Sequence, residues 1–307
     1  MIDTLNMTIR ETRSGGGLFD VARHIESVKE GVYSRGGEQY AIGSIGNYRV
    51  YVDSRNVRLS GSIAKLVQGG ENVSSPSRAA VADGVQWLSD TLHLNVGAAA
   101  VGRVDVAYTF SLPSEPATYI AEMSSRAGTE RASIGENTVY FVSKGRALCF
   151  YDKRAEMRHR GQEMPPAWAG CQNLLRYELR LSGSIGQQIG LQSLTASDIT
   201  KPQPWARLVD MWAQEYRQVV KANADAIKAA STQREAFDAI FADLLRYAPT
   251  DYLTDALRLT KEGDKMPKIE RYRLKKALQK IVAASNIELV NQLDAAVEQA
   301  RAEAVSV

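Results

Sequence analysis

The sequence around Tyr151 places a phenol beside several charged groups at the end of an apolar run. In TVYFVSKGRALCFYDKRAEM, residues 138–157, Tyr151 is followed by Asp152, Lys153 and Arg154. A tyrosine with an ordinary pKa of about 10 is a poor nucleophile at neutral pH unless a metal, base or cation stabilises its phenolate. Lys153 would share the face of Tyr151 if the strand continued that far. The pattern is compatible with a tyrosine nucleophile, and also with a structural tyrosine in a strand.

Two further apolar runs each carry one carboxylate between basic residues. In GRVDVAYTF, Asp105 and Arg103 share a face, because side chains alternate along a strand. In NLLRYELRL, Glu178 shares a face with Arg176 and Arg180 in the same way. If the two strands are neighbours, Asp105 and Glu178 would together hold Mg²⁺ or Mn²⁺, which prefer oxygen ligands. The alternative is a set of cross-strand ion pairs on a solvent-facing sheet.

Histidine and cysteine patterns exclude several other kinds of site. The three histidines include no His-x-His pair, so a site built on adjacent histidine ligands is excluded. His159 follows Tyr151 closely enough to approach a metal or a phosphate, although its basic neighbours favour a surface position. Cys149 and Cys171 have no zinc-type spacing and are expected to be reduced thiols. The sequence has no GxxxxGK[ST] motif and therefore no P-loop for nucleotide hydrolysis.

Composition is that of a globular protein with nearly balanced charge. Of the 307 residues, 44% are hydrophobic, and 38 Lys and Arg stand against 35 Asp and Glu. A nucleic-acid surface must therefore come from local clustering. The segment Lys261–Lys280 has eight basic and three acidic residues, which suits either phosphate binding or a solvated helix face. No run reaches the roughly 20 apolar residues of a membrane span, and we expect a cytosolic protein.

The elements that must position these residues follow from hydrophobic periodicity. Alternation predicts strands in MIDTLNMTI and in the two carboxylate runs, and hairpins in NYRVYVDSRNVRLSG and in NTVYFVS with RALCFYD. Helical spacing predicts a helix over residues 79–92, capped by Ser75 with Pro76 in its first turn, and a second helix in EPATYIAEMSSRA. The class is α+β, an antiparallel or mixed sheet with helices packed on it.

A change in the hydrophobic pattern near residue 200, from mixed strands and helices to helices alone, predicts a domain boundary. After Pro204 the pattern is almost purely helical, with long periodicities over residues 206–246 and 269–304. We therefore expect a domain over residues 1–200 and an all-helical region over residues 201–307. Origin recognition or self-association is the hypothesis for the helical region, because it contains the basic segment Lys261–Lys280.

Five motifs in order resemble the replication initiators of filamentous phages, the gene II type, and their relatives in rolling-circle phages and plasmids. They are MIDTLNMTI, GSIAKLVQGGENV at residues 61–73, GRVDVAYTF, RALCFYDKRAEM and LLRYELRL. Each motif is short, and the resemblance rests on their order and spacing over residues 1 to about 185. It implies a fold like that of the HUH endonucleases, without the paired histidines. Plasmid relatives tend to have a second acid where this chain has Thr109.

The resemblance implies a nicking and rejoining reaction on origin DNA. Tyr151 would be the nucleophile, with Lys153 and Glu156 as neighbours and with Asp105 and Glu178 as ligands of Mg²⁺ or Mn²⁺. The phenolate would attack a phosphodiester and leave a 5′-phosphotyrosyl link and a 3′ hydroxyl that primes synthesis. Rejoining would need no ATP, because the covalent link conserves the bond energy.

The resemblance also implies the partners. They are single-stranded or supercoiled origin DNA and the replication polymerase and helicase of a bacterial host, in whose cytoplasm the protein would act. A membrane is not among them, and a homodimer is a further expectation. The residues expected to contact the DNA backbone are Arg103, Arg154, Arg176, Arg180, Lys275 and Lys276.

Three other functions fit the sequence. One is a structural protein that does not bind nucleic acid, which would show no salt-sensitive DNA binding. A DNA-binding regulator that keeps the fold without nicking would have much the same sequence. A tyrosine recombinase would share the covalent tyrosine, and Tyr272 in YRLKK is the best alternative nucleophile. A recombinase should also carry His-x-x-Arg, but His159 is followed by RGQ.

Overall fold

A computed structural model describes residues 1–10, 18–32, 38–221, 232 and 287–306. The basic segment Lys261–Lys280, with Tyr272, Lys275 and Lys276, lies outside the described residues. The strands are β1 Ile2–Arg10, β2 Glu26–Val32, β3 Gln39–Ile45, β4 Tyr48–Asp53, β5 Asn56–Ser62, β6 Ala100–Ser111, β7 Met123–Arg126, β8 Glu130–Ile134, β9 Thr138–Ser143, β10 Arg146–Asp152, β11 Leu174–Ser182 and β12 Val219–Lys221. The helices are α1 Ile63–Val67, α2 Arg78–Leu92, α3 Pro116–Glu122, α4 Lys153–His159, α5 Ile185–Gln188, α6 Ala196–Ile199, α7 Pro202–Arg217 and α8 Ile287–Ser306, with short 3-10 helices at Leu18–His24, Val96–Ala98 and Pro166–Trp168.

Ten strands form one sheet in the order β2-β3-β4-β5-β1-β6-β11-β10-β9-β8. Every ladder in it is antiparallel. β1 and β6 lie at the centre, because the first strand of the chain inserts between β5 and β6. The α+β class with an antiparallel sheet and packed helices is confirmed, and so are the two predicted hairpins, β4–β5 and β9–β10.

One face of the sheet is apolar and carries the core. Aromatic rings on this face stack from β10 and β11 onto α7. The centre of the Tyr177 ring lies 4.5 Å from that of Phe150 and 5.0 Å from that of Trp212. The buried residues of α2, α3, α7 and α8 join the same cluster. Helix α8 contacts α7 through a hydrogen bond from Tyr216 Oη to Asp294 Oδ1. The helical stretches after residue 200 that the structure describes therefore pack on the sheet formed by the first two hundred residues.

The opposite face, here called the polar face, is covered at one end only. Residues 68–77 and 153–173 meet over β11, where Trp168 Nε1 donates to Ser74 Oγ at 2.9 Å and Val73, Met157 and Leu174 are buried together. We call the area beneath them the roofed part and the remaining area the open part. An antiparallel sheet often keeps one face solvated in this way.

Two predicted boundaries are wrong, and tertiary contacts explain both. Helix α2 is capped by Ser77, whose Oγ accepts from Ala80 N at 3.1 Å, whereas Ser75 Oγ donates to Ala107 O on β6. Helix α3 ends at Glu122, and the next residues form β7, because they pair with β12. Strand β12 lies in the region predicted to be all helical, so pairing with a distant segment overrides helical propensity at both places. Among the described residues, no helix is both long and apolar enough to cross a membrane.

Candidate active site

The candidate site lies in the roofed part, where β1, β6, β11 and β10 are neighbours. Register places Tyr151 opposite Arg176, and Arg176 opposite Thr109. Glu178 lies two residues along β11 and therefore shares this face, as does Asp105, which is opposite Arg180. Because β1 carries MIDTLNMTI, strand pairing thus brings four of the five sequence motifs together.

Arg176 is the centre of the site, although it is only 1% exposed. Its Nε donates to Glu178 Oε1 at 2.8 Å, and its Nη2 donates to Asp3 Oδ2 at 2.7 Å. Nη1 donates to Thr109 Oγ1 at 3.0 Å and to the carbonyl oxygen of Asn72 at 2.6 Å. We predicted Arg176 as a contact for the DNA backbone. The structure buries it instead, and four of its five N–H donors bind Glu178, Asn72, Thr109 and Asp3, so it holds the groups of the site together.

Tyr151 and Glu178 are joined directly. Tyr151 Oη donates to Glu178 Oε1 at 2.8 Å, while Arg180 donates to Glu178 Oε2 through Nε at 3.0 Å and Nη2 at 2.8 Å. Burial alone would raise the pKa of Glu178, but Arg176 and Arg180 outweigh it and lower that pKa to about 2. Burial and then the Glu178 carboxylate raise the pKa of Tyr151 well above its ordinary value. The phenol is therefore protonated at rest, and its 9% exposure leaves little of it accessible.

Lys153 reaches the site by a different route from the one we expected. The strand ends at Asp152, whose Oδ1 accepts from Ala155 N at 2.9 Å and caps α4, so Lys153 is the first helical residue. Its Nζ lies 6.0 Å from the centre of the Tyr151 ring and donates to Asn72 Oδ1 and Glu156 Oε2, both at 2.9 Å. Burial and then Arg176 lower the pKa of Lys153. A buried cation thus faces the phenol.

Asp105 lies near this group but does not contact Tyr151. Arg103 donates to both of its oxygens, through Nε at 2.8 Å and Nη2 at 2.7 Å. Burial, only partly offset by Arg103, raises the pKa of Asp105. The ion pairs of Asp105 and Glu178 therefore run within each strand to arginines two residues away, rather than across strands as the alternative interpretation had them.

The carboxylates as they stand do not fit a divalent cation. Each oxygen of Asp105 and Glu178 already accepts a hydrogen bond from an arginine. In the part of the chain that the structure describes, no three His, Cys, Asp or Glu side chains are grouped to hold a metal. A cation would have to displace guanidinium groups to reach these oxygens.

Sequence reasoning missed three residues that complete the site. Asp3, which is 6% exposed, accepts from Arg176, from Asn72 Nδ2 at 3.1 Å and from Ser62 Oγ at 2.6 Å. Asp3 lies at a register shift of β1 against β6, where the simple alternation of faces fails. Ser62 and Asn72 belong to GSIAKLVQGGENV, so this motif was the available signal for them.

The remaining predicted residues lie at the margin of the site. Arg103 and Arg180 have side chains 40% and 33% exposed, so they reach the surface of the polar face. Arg154 Nη1 donates to the carbonyl oxygen of Cys171 at 2.6 Å, and His159 is exposed at the end of α4. Cys149 is buried opposite Glu178, and burial raises the pKa of its thiol to about 12.

Comparison with known proteins gives one family. The sequence model of the N-terminal region of the phage replication-associated protein, the gene II protein, matches residues 1–201. This range contains every described residue of the candidate site. No curated protein matches the chain.

Proposed function

The chain belongs to the phage replication-associated protein family of the gene II type, a family of replication initiators, and on that premise we propose that it nicks and rejoins origin DNA with Tyr151 as the nucleophile. The observation that carries the proposal is the hydrogen bond from Tyr151 Oη to Glu178 Oε1, in a site where Arg176 and Lys153 supply positive charge. A phenol beside a carboxylate and buried cations has what covalent catalysis on a phosphodiester needs.

In the proposed reaction, Tyr151 Oη attacks the scissile phosphorus and the bond from phosphorus to the 3′ oxygen breaks. The phenol loses its proton, the 3′ oxygen leaves and gains one, and the products are a 5′-phosphotyrosyl link and a 3′ hydroxyl. The reverse reaction rejoins the ends, because one phosphate ester replaces another. Lys153 stabilises the phenolate and the added charge on the phosphate.

Substrate binding itself would prepare Glu178 to take the proton. At rest the transfer from Tyr151 is strongly unfavourable, because the pKa of Glu178 is about 2 and that of Tyr151 is raised well above its ordinary value. Arg180 is one of the two arginines that hold Glu178 in this state, and it is partly exposed. A phosphate that draws Arg180 away raises the pKa of Glu178 and strengthens it as a base.

Dependence on Mg²⁺ or Mn²⁺ remains a prediction, and no step above requires a metal. Such an ion would stabilise charge on the phosphate as a Lewis acid if Asp105 exchanged Arg103 for it. Nicking measured in EDTA and across a Mn²⁺ titration tests this. If Asp105 is a ligand, Asp105→Asn raises the Mn²⁺ concentration needed for half-maximal rate, and an unchanged titration contradicts the assignment.

The proposal is tested with a supercoiled plasmid that carries the replication origin of the replicon encoding the chain. Tyr151→Phe should give no nicked circle and no covalent adduct, whereas the matched variant Tyr272→Phe should nick as the parent does. The reverse pattern would favour Tyr272 and a recombinase-like reaction. A DNA-binding regulator is the second candidate, favoured by the low exposure of Tyr151. It predicts binding of origin DNA with no nicking by any variant.

A further inference from the structure

The open part of the polar face carries a row of side chains that faces solvent across six strands. Ladder register places Ser44, Arg49, Ser60, Asn6, Arg103 and Ser182 directly opposite one another in that order, on β3, β4, β5, β1, β6 and β11. Five strand spacings of about 4.8 Å give the row a length of about 24 Å. Hydroxyl, amide and guanidinium groups in a line are all able to donate hydrogen bonds to phosphate oxygens.

Charge on this surface favours an anion. Arg49 and, in the adjacent row, Arg58 are exposed, and within the described residues neither has a carboxylate as ion-pair partner. Arg103 and Arg180 are at its other end, where they bind the carboxylates Asp105 and Glu178. Arg49 and Arg58 therefore supply positive charge that is not paired with a described carboxylate, while Glu26 on β2 lies opposite Ser44 at the outer end of the row. The inner end of the row lies beside the groups that contact Tyr151.

Aromatic rings on the same face favour single-stranded rather than duplex nucleic acid. The guanidinium carbon of Arg58 lies 5.1 Å from the centre of the Tyr51 ring, and that of Arg180 lies 5.7 Å from the centre of the Tyr140 ring. Bases of a single strand stack on such rings and on arginine planes, whereas the bases of a duplex are already stacked on one another.

We propose that the open part binds one single strand of DNA, laid across the strands from Arg49 to Arg103, and delivers it to the roofed part. This rests on the proposed function, because it makes the open part the path by which the scissile strand reaches Tyr151. The proposed path crosses β3, β4 and β5, away from the roofed part. The sequence analysis predicted no DNA contact in these three strands.

The test measures binding without cleavage, so it is independent of the nucleophile. The full chain is titrated into a fluorescent oligothymidylate of about 12 nucleotides, a length within the range of known single-strand sites, and anisotropy is read at several salt concentrations. The double variant Arg49→Ala/Arg58→Ala should bind about tenfold more weakly or worse at low salt. The slope of log K against log salt should fall by about 1.4, because each single-strand phosphate contact contributes about 0.7.

Three controls make each outcome decisive. Arg217→Ala removes an exposed arginine on the helical side of the sheet and should leave affinity unchanged. Arg49→Lys/Arg58→Lys keeps the charge and should keep the slope, which separates a lost contact from a disturbed fold. The double alanine change is also made in a Tyr151→Phe background, where it should weaken binding by the same factor, so the result can be interpreted even if the nucleophile assignment fails. Equal binding by the double alanine variant and Arg217→Ala overturns the proposal, and so does an unlabelled duplex that competes as well as the single strand.

Discussion

The two parts of the polar face both depend on arginine, but the surroundings give the residue opposite roles. In the roofed part, Arg176 is 1% exposed and donates to Asp3, Glu178, Thr109 and Asn72. In the open part, Arg49 and Arg58 are exposed to solvent. A buried arginine with all its partners fixed holds carboxylates in place, whereas a solvated one is available to an external anion. The comparison shows that arginine count alone does not locate a DNA-binding surface.

The largest expected effect is on stability, from Arg176→Met. This change leaves the buried carboxylates of Asp3 and Glu178 without their shared partner, so the free energy of unfolding should fall by about 3 to 5 kcal/mol. The matched change in the open part, Arg58→Met, should stay within about 0.5 kcal/mol of the parent. Urea denaturation followed by circular dichroism measures both. If the free energy of unfolding fell by similar amounts in the two variants, the buried and the solvated arginine would not differ in their contribution to stability.

The next effect is the pH dependence of nicking. The pKa of Tyr151 is raised well above 10 by burial and by Glu178, so below that pKa the phenolate fraction rises about tenfold for each pH unit. In Glu178→Gln, which lacks the proposed base, the initial nicking rate at saturating DNA should therefore be low and should increase from pH 7 to pH 9 without a plateau. In the parent, ionised Glu178 takes the proton, so the rate should level off over this range. A plateau below pH 8 in Glu178→Gln would mean that the reacting group is not this phenol.

A smaller effect is the response of stability to acid. Folding lowers the pKa of Glu178 from 4.5 to about 2, so between these values the unfolded chain binds more protons than the folded one. The stability contributed by Glu178 is therefore complete above pH 4.5 and is lost as the pH falls towards 2. Urea midpoints across this range should decline less steeply in Glu178→Gln than in the parent. Glu303→Gln, on the exposed side of α8, should follow the parent, and equal slopes in all three proteins would contradict the assigned pairing.

The smallest effect concerns the two thiols. Burial raises the pKa of Cys149 to about 12, whereas Cys171 is only partly buried. Because the thiolate is the reactive form, the native protein at pH 8 should release one equivalent of thionitrobenzoate from a disulfide reagent, and two after denaturation. Cys171→Ser should release none while folded. Rapid reaction of Cys149 in that variant would show that the roofed part is open to solvent.

Much of the sheet could be predicted from sequence, because apolar and polar residues alternate along strands such as β6, β10 and β11. This alternation also predicted that Glu178 shares a face with Arg176 and Arg180, whereas the grouping of Tyr151 with Glu178 was implied only by the resemblance to the gene II family. Asp3 and Asn72 could not be found this way. They reach Arg176 from segments 173 and 104 residues away along the chain. Their convergence requires β1 to insert at the centre of the sheet, and a local pattern carries no information on that placement.

The same limit explains Lys153. Strand periodicity placed it on the face of Tyr151, but Asp152 caps a helix at that point and turns the chain. Lys153 still reaches the phenol, because α4 begins directly over β10 and β11. The residue was predictable, and the element that positions it was not.

The most direct test of the account is to locate the covalent bond. The chain is incubated with single-stranded origin DNA labelled at the scissile phosphate, the adduct is digested with nuclease and trypsin, and the labelled peptide is sequenced. We expect the label on Ala147–Lys153, the tryptic peptide that contains Tyr151. A label on Tyr272–Arg273, or nicking with no label on protein, would contradict Tyr151 as the nucleophile.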